Sequence, residues 1–159
     1  MKNGTLPRRI LHALERRGVR FFRPAQLTGA LGAAPSISRA LRRLVDAKKI
    51  ERLDRGVYRV LPAAAPQLAF DRAWSNPAAV RTPDKTIAVT MGRPTFRDAV
   101  RLCHAYGVPR VRRVLAALRS AGDIAPSVAD DWSHRLDAIE EAIGNVAQRQ
   151  LARTDRRLA

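Results

Sequence analysis

The chain has 159 residues, with 30 Lys and Arg against 14 Asp and Glu, so its formal charge is +16, and 26 of its 30 cations are arginine. Hydrophobic residues at 46% are enough to build a core, which excludes wholesale disorder. The single cysteine, Cys103, excludes an internal disulfide and a cysteine-rich zinc site, and no apolar run reaches the roughly 18 residues of a membrane span.

From the N-terminus, Thr5 is placed to cap a first helix with Pro7 in its opening turn. Leu6, Ile10, Leu11 and Leu14 form its apolar stripe and Gly18 ends it. Val19, Phe21 and Phe22 alternate as a short extended piece. Pro24 opens a second helix, Pro24–Leu31, closed by Gly32. Ser36 is the expected cap of a third helix reaching about Lys48, in which Ile37, Ala40, Leu41, Leu44 and Val45 recur at the spacing of a buried face. Ile50, Arg52, Asp54 and then Val57, Arg59 alternate like strands around Arg55–Gly56, where glycine supplies the positive φ of a tight hairpin. Helix, helix, turn, basic amphipathic helix and hairpin together predict a winged helix-turn-helix over residues 1–60.

Residues 61–82 read as a linker and irregular segment, with LPAAAPQ at its start and breaks at Asn76–Pro77 and Thr82–Pro83. A helical C-terminal domain, residues 83–159, is expected beyond it. A short helix is placed at Asp84–Met91. Thr95 caps the next, with Asp98 three residues on and Phe96, Ala99, Val100, Cys103 and Tyr106 facing inward. Pro109 opens another that stops at Gly122. Ser127, followed by Asp130, caps a long last helix whose Trp132, Leu136, Ile139, Ile143 and Val146 make a heptad-like seam, a candidate dimer interface. Residues 147–159 read as a basic tail. The fold class is thus mainly α: a winged helix-turn-helix with a small β-hairpin wing, then an all-α domain.

The charge is not evenly spread. Residues 1–60 hold 15 basic and 4 acidic side chains, a net of +11, which makes them the electrostatic footprint for a polyanion, most simply nucleic acid. A helix fits the major groove and presents its N-terminal residues to base edges. On the third helix these are Ser36, Ser38 and Arg39, then Arg42 and Arg43 one turn later, with Arg55 at the wing tip. Arg8, Arg9, Arg16, Arg17, Arg20 and Arg23 read as general phosphate attraction. The alternative is that these arginines only solvate a helix, or that the winged helix docks a protein.

Catalytic residues, a metal and a cofactor are not expected. His12, His104 and His134 are scattered without ligand spacing, and Cys103 and His104 point about 100° apart on their helix. Met91-Gly92-Arg93-Pro94 is no phosphate loop. The acidic stretch 123–141 is read equally as a surface for a basic partner or as partner to the chain's own arginines. MKNGTLPRRILHALERRG carries no continuous apolar signal region, so a cytoplasmic location away from membranes is expected.

The block AQLTGALGAAPSISRALRRLVDAKKIERLDRGVYRV, ending in R-G-V-Y-R, resembles the N-terminal winged helix of AbiEi-type antitoxins of type IV toxin–antitoxin systems. GRPTFRDAVRLCHAYGVPRVRRVLAAL resembles the helical portion that follows in short members, through its P-T-F entry, Y-G break and V-x-x-V helix. The resemblance implies an antitoxin that represses its own operon by binding inverted repeats in double-stranded promoter DNA. It also implies a cognate nucleotidyltransferase-like toxin. Carried onto this chain, the recognition helix is Ser36–Lys48, with Ser36, Ser38, Arg39, Arg42 and Arg43 toward DNA and Arg55 at the wing. The competing readings are a module that neutralises the toxin through its C-terminal helices, with DNA binding secondary, and an RNA- or ribosome-associated basic protein. The shortage of aromatic stacking platforms disfavours the last.

Overall fold

The computed structural model describes the chain except residues 1–3, 70–81, 94 and 159, with backbone alone for 154–158. The Asn76–Pro77 break and most of the expected linker lie outside the described residues. Two compact units emerge: Met1–Ala63 with Gly144–Ala159, and Ala64–Ile143.

In the first unit, α1 (Leu6–Arg16) follows Thr5, which occupies the cap position without a side-chain hydrogen bond. The helix ends as its sequence dictates. Gly18 at φ 61° lets its own N–H reach the Glu15 carbonyl and the Val19 N–H reach the Leu14 carbonyl, which satisfies carbonyls that would otherwise be orphaned. β1 (Phe21–Phe22) comes next.

The expected second helix, Pro24–Leu31, is not an α-helix. Only Pro24–Gln26 is helical, as a 3₁₀ turn. The Thr28 hydroxyl donates to the Pro24 and Ala25 carbonyls, Gln26 Oε1 accepts from the Arg23 N–H, and Gly29 turns to φ 84°. A segment this short cannot offset helix nucleation by propagation, and these local bonds satisfy its backbone instead.

Helix α2 spans Ala34–Asp46, two residues upstream of the expected cap at Ser36. Pro35 explains the shift: it lacks an N–H and is tolerated in the first turn, so Ser36 lies inside the helix and Ala33 becomes the cap. Its C-terminus closes with Lys48 at φ 56°, the Lys49 N–H donating to the Leu44 carbonyl and the Lys48 N–H to that of Val45. Ile37, Ala40, Leu41 and Leu44 are buried as the period requires. They join Ile10, Leu14, Phe22, Leu27 and Ile50 in one core.

Strands β2 (Ile50–Asp54) and β3 (Val57–Val60) form the hairpin, with Gly56 at φ 76°. The sheet order is β1-β3-β2, antiparallel throughout, and the β2–β3 register shifts between Arg52 and Asp54. One sheet face carries Phe22, Ile50 and Tyr58 to the core, the Phe22 and Tyr58 rings stacked at 5.7 Å. Phe21, Glu51, Val57 and Arg59, which alternate onto the other face, are buried too. Segment Gly144–Ala159 belongs to this unit and buries Ala147 and Leu151. The stretch read as a basic tail is helical to Leu158.

In the second unit Thr82 caps α3 (Pro83–Met91), its Oγ1 accepting from the Lys85 N–H. Thr95 caps α4 (Phe96–Tyr106) and accepts from the Asp98 N–H at 3.0 Å. Helix α5 (Val108–Ala121) follows Gly107. Helix α6 (Pro126–Leu158) begins one residue before Ser127, again because proline takes a place in the first turn. Trp132 lies at 0% exposure and donates its indole N–H to the Met91 carbonyl at 3.1 Å.

Two expectations for this unit change. Phe96 and Val100 do not face inward: they are 56% and 39% exposed, and α4 buries Asp98, Ala99, Leu102, Cys103 and Ala105 instead. Asp98 sets that phase, because its carboxylate accepts the Ala69 N–H at 2.8 Å. The last helix's seam is not a free dimer surface either. Trp132, Leu136 and Ile139 are core residues of their own unit and Ile143 packs against them, leaving Val146 exposed.

Candidate nucleic-acid interface

On α2 the buried and exposed faces divide cleanly. Ser38, Arg39, Arg42 and Arg43 are exposed, Ser36 is half-buried, and Arg55 is exposed at the hairpin tip. The wing tip is ordered by its own chain: Asp54 Oδ1 accepts from the Arg55 N–H at 2.6 Å, and Arg52 Nε donates to the Asp54 carbonyl at 3.3 Å. Sequence reasoning passed over Arg52, Lys48 and Lys49, all exposed between the end of α2 and the wing. Their charge was the available signal, since they continue the basic run of the helix. Arg59, counted at first among the strand's charges, is no surface cation. It is buried at 4% exposure and pairs with Glu51, its cross-strand neighbour.

The electrostatics of the two units differ in kind. Met1–Ala63 with Gly144–Ala159 hold 19 Lys and Arg against 5 Asp and Glu, a net of +14, whereas Ala64–Ile143 hold 11 against 9, a net of +2. In the second unit four arginines are paired with carboxylates. Arg112 reaches both Asp137 and Glu140 at 2.7 Å, Arg119 reaches Asp130, Arg135 reaches Asp131, and Arg110 reaches Asp84. The Arg112 guanidinium is opposed by burial, but its two carboxylates hold its pKa above the ordinary arginine value. Thus Asp130, Asp131, Asp137 and Glu140 of the acidic stretch fold back on the chain's own arginines. Among the described residues, by contrast, no ion pair engages Arg39, Arg42, Arg43 or Arg55.

Such a surface has the chemistry to meet a polyanion. Guanidinium forks bond phosphate oxygens or the O6/N7 edge of guanine, and serine hydroxyls take either partner. No described helix is long and apolar enough to cross a membrane. No group of three or more His, Cys, Asp or Glu among the described residues could hold a metal ion.

A three-residue 3₁₀ turn, a basic recognition-type helix and a three-stranded wing define the N-terminal unit as a winged helix-turn-helix, followed by helices α3–α6. Residues 8–61, about a third of the chain, match the family model described as "Transcriptional regulator, AbiEi antitoxin". No curated protein and no solved structure matches the chain.

Proposed function

We propose that this protein is a cytoplasmic antitoxin that represses its own toxin–antitoxin operon, reading promoter DNA with α2 and the wing. The observation carrying this reading is the contrast in arginine pairing: those of α5 and α6 named above are held by carboxylates, while those of α2 face solvent without one. Ser36, Ser38, Arg39, Arg42 and Arg43 enter the groove, and Arg55 follows the backbone or the adjacent minor groove. Inverted repeats would be met by two copies of the chain, one per half-site.

Anisotropy titration of the full chain on its own upstream region and on random duplex, over a range of salt, tests this. The upstream region is expected to bind more tightly. The log–log salt slope should be steep, since each phosphate contact contributes about −0.9. Equal affinity for both duplexes would remove sequence reading.

A second reading concerns the C-terminal unit. Phe96 and Val100 are one turn apart on α4 and exposed, with Arg97 also exposed between them. Solvent-facing aromatic and aliphatic groups beside a cation suit a protein contact, here a nucleotidyltransferase-like toxin. Phe96→Asp is expected to weaken capture of the co-expressed toxin at least tenfold while leaving DNA binding unchanged. Unaltered capture would exclude α4 as the contact.

A further inference from the structure

The face of α1 turned away from the core holds a feature that promoter reading does not use. Arg9, His12, Ala13, Arg16 and Arg17 recur at i, i+3, i+4, i+7 and i+8, which brings them onto one side of the helix, while Ile10 and Leu14 are buried. With Leu31, from the turn that leads into α2, they line a cavity of about 340 Å³. Its wall contains three arginines and a histidine and no carboxylate. Arg9, His12, Arg16 and Arg17 are exposed, and among the described residues none of the three guanidiniums has an ion-pair partner.

We propose that this cavity is a phosphate-binding site, separate from α2, that takes a phosphate ester carrying more than one negative charge. Three like charges along two turns of helix repel one another, and a multivalent anion relieves that repulsion. Guanidinium forks match phosphate oxygens in pairs. The volume falls within the range of small-molecule sites and exceeds what a lone phosphate needs, and Ala13 and Leu31 offer apolar wall to the rest of the ester. Because Leu31 lies three residues before α2 begins at Ala34, an occupant touches the turn that sets the start of that helix. Two sources share this chemistry: a free nucleotide, and the successive phosphates of a flanking duplex backbone.

The test uses the full chain, with pyrophosphate and ATP as probes at constant ionic strength, followed by thermal shift and calorimetry. Saturable stabilisation that chloride does not reproduce, weakened at least tenfold in Arg9→Ala/Arg16→Ala and clearly reduced in Arg16→Lys, assigns the site to a free phosphate ester. Should neither probe bind, the same double variant is titrated with duplex. A salt slope shallower by about 0.9 per lost contact, with sequence preference intact, assigns the site to the DNA backbone. No effect in either arm, or probe binding indifferent to the double variant, overturns the proposal. Arg39→Ala serves as the control: it leaves the probe response unchanged, so failure of promoter reading and failure of this site remain distinguishable.

Discussion

Glu51→Ala is expected to destabilise the N-terminal unit by about 3–5 kcal/mol, the usual penalty for stripping one partner from a buried ion pair. The Glu51 and Arg59 side chains are 6% and 5% exposed and meet at 2.5 Å across β2 and β3. Once the carboxylate is gone, the buried guanidinium loses the counter-charge that Glu51 supplies. For a unit of this size the midpoint of thermal unfolding should drop by about 12–40 °C. The penalty belongs to the buried charge more than to the bond, so Glu51→Leu combined with Arg59→Met should recover most of the loss. Denaturant and thermal unfolding of the three proteins measure this. A loss below about 1 kcal/mol in Glu51→Ala, the scale of a surface pair, would show the pair to be solvated.

The second large effect concerns recognition. Arg39→Ala and Arg42→Ala are each expected to lower discrimination between the upstream region and random duplex by about 1–3 kcal/mol, or about 5- to 150-fold. Both side chains are exposed and make no ion pair among the described residues, so their removal should leave thermal stability within about 0.5 kcal/mol of the parent. Loss of binding can then be read as loss of contact. Competition titrations with the two duplexes give the ratio. An unchanged ratio with uniformly weaker binding would demote both residues to phosphate contacts.

Much of the first unit was legible because its signals are local. Gly18 and Gly56 take the positive φ that their places in the sequence demanded, and the 3.6-residue period of α2 marks its buried face and so its exposed arginines. Local competition explains the misplaced starts. At Pro35–Ser36 and Pro126–Ser127 a serine looks like a cap, but the proline before it already fits the first turn, and the helix begins upstream. The Pro24–Leu31 segment failed for lack of length.

What the sequence hid was long-range. Nothing near Glu51 announces Arg59 until the strand register sets them opposite each other. The phase of α4 depends on a hydrogen bond between Ala69 and Asp98, 29 residues apart. Likewise the seam of α6 is visible as a repeat, but its partner is not. A heptad-like spacing serves a twin chain and the chain's own helices equally well, and here Trp132, Leu136 and Ile139 pack inside one unit.

Amide chemical-shift mapping of the full chain, titrated with duplex from its own upstream region, tests the central claim most directly. The largest shifts are expected along Ser36–Lys48 and at Arg55, with α4 and α5 nearly silent. Shifts concentrated on α4 and α5, with α2 unmoved at saturation, would contradict it.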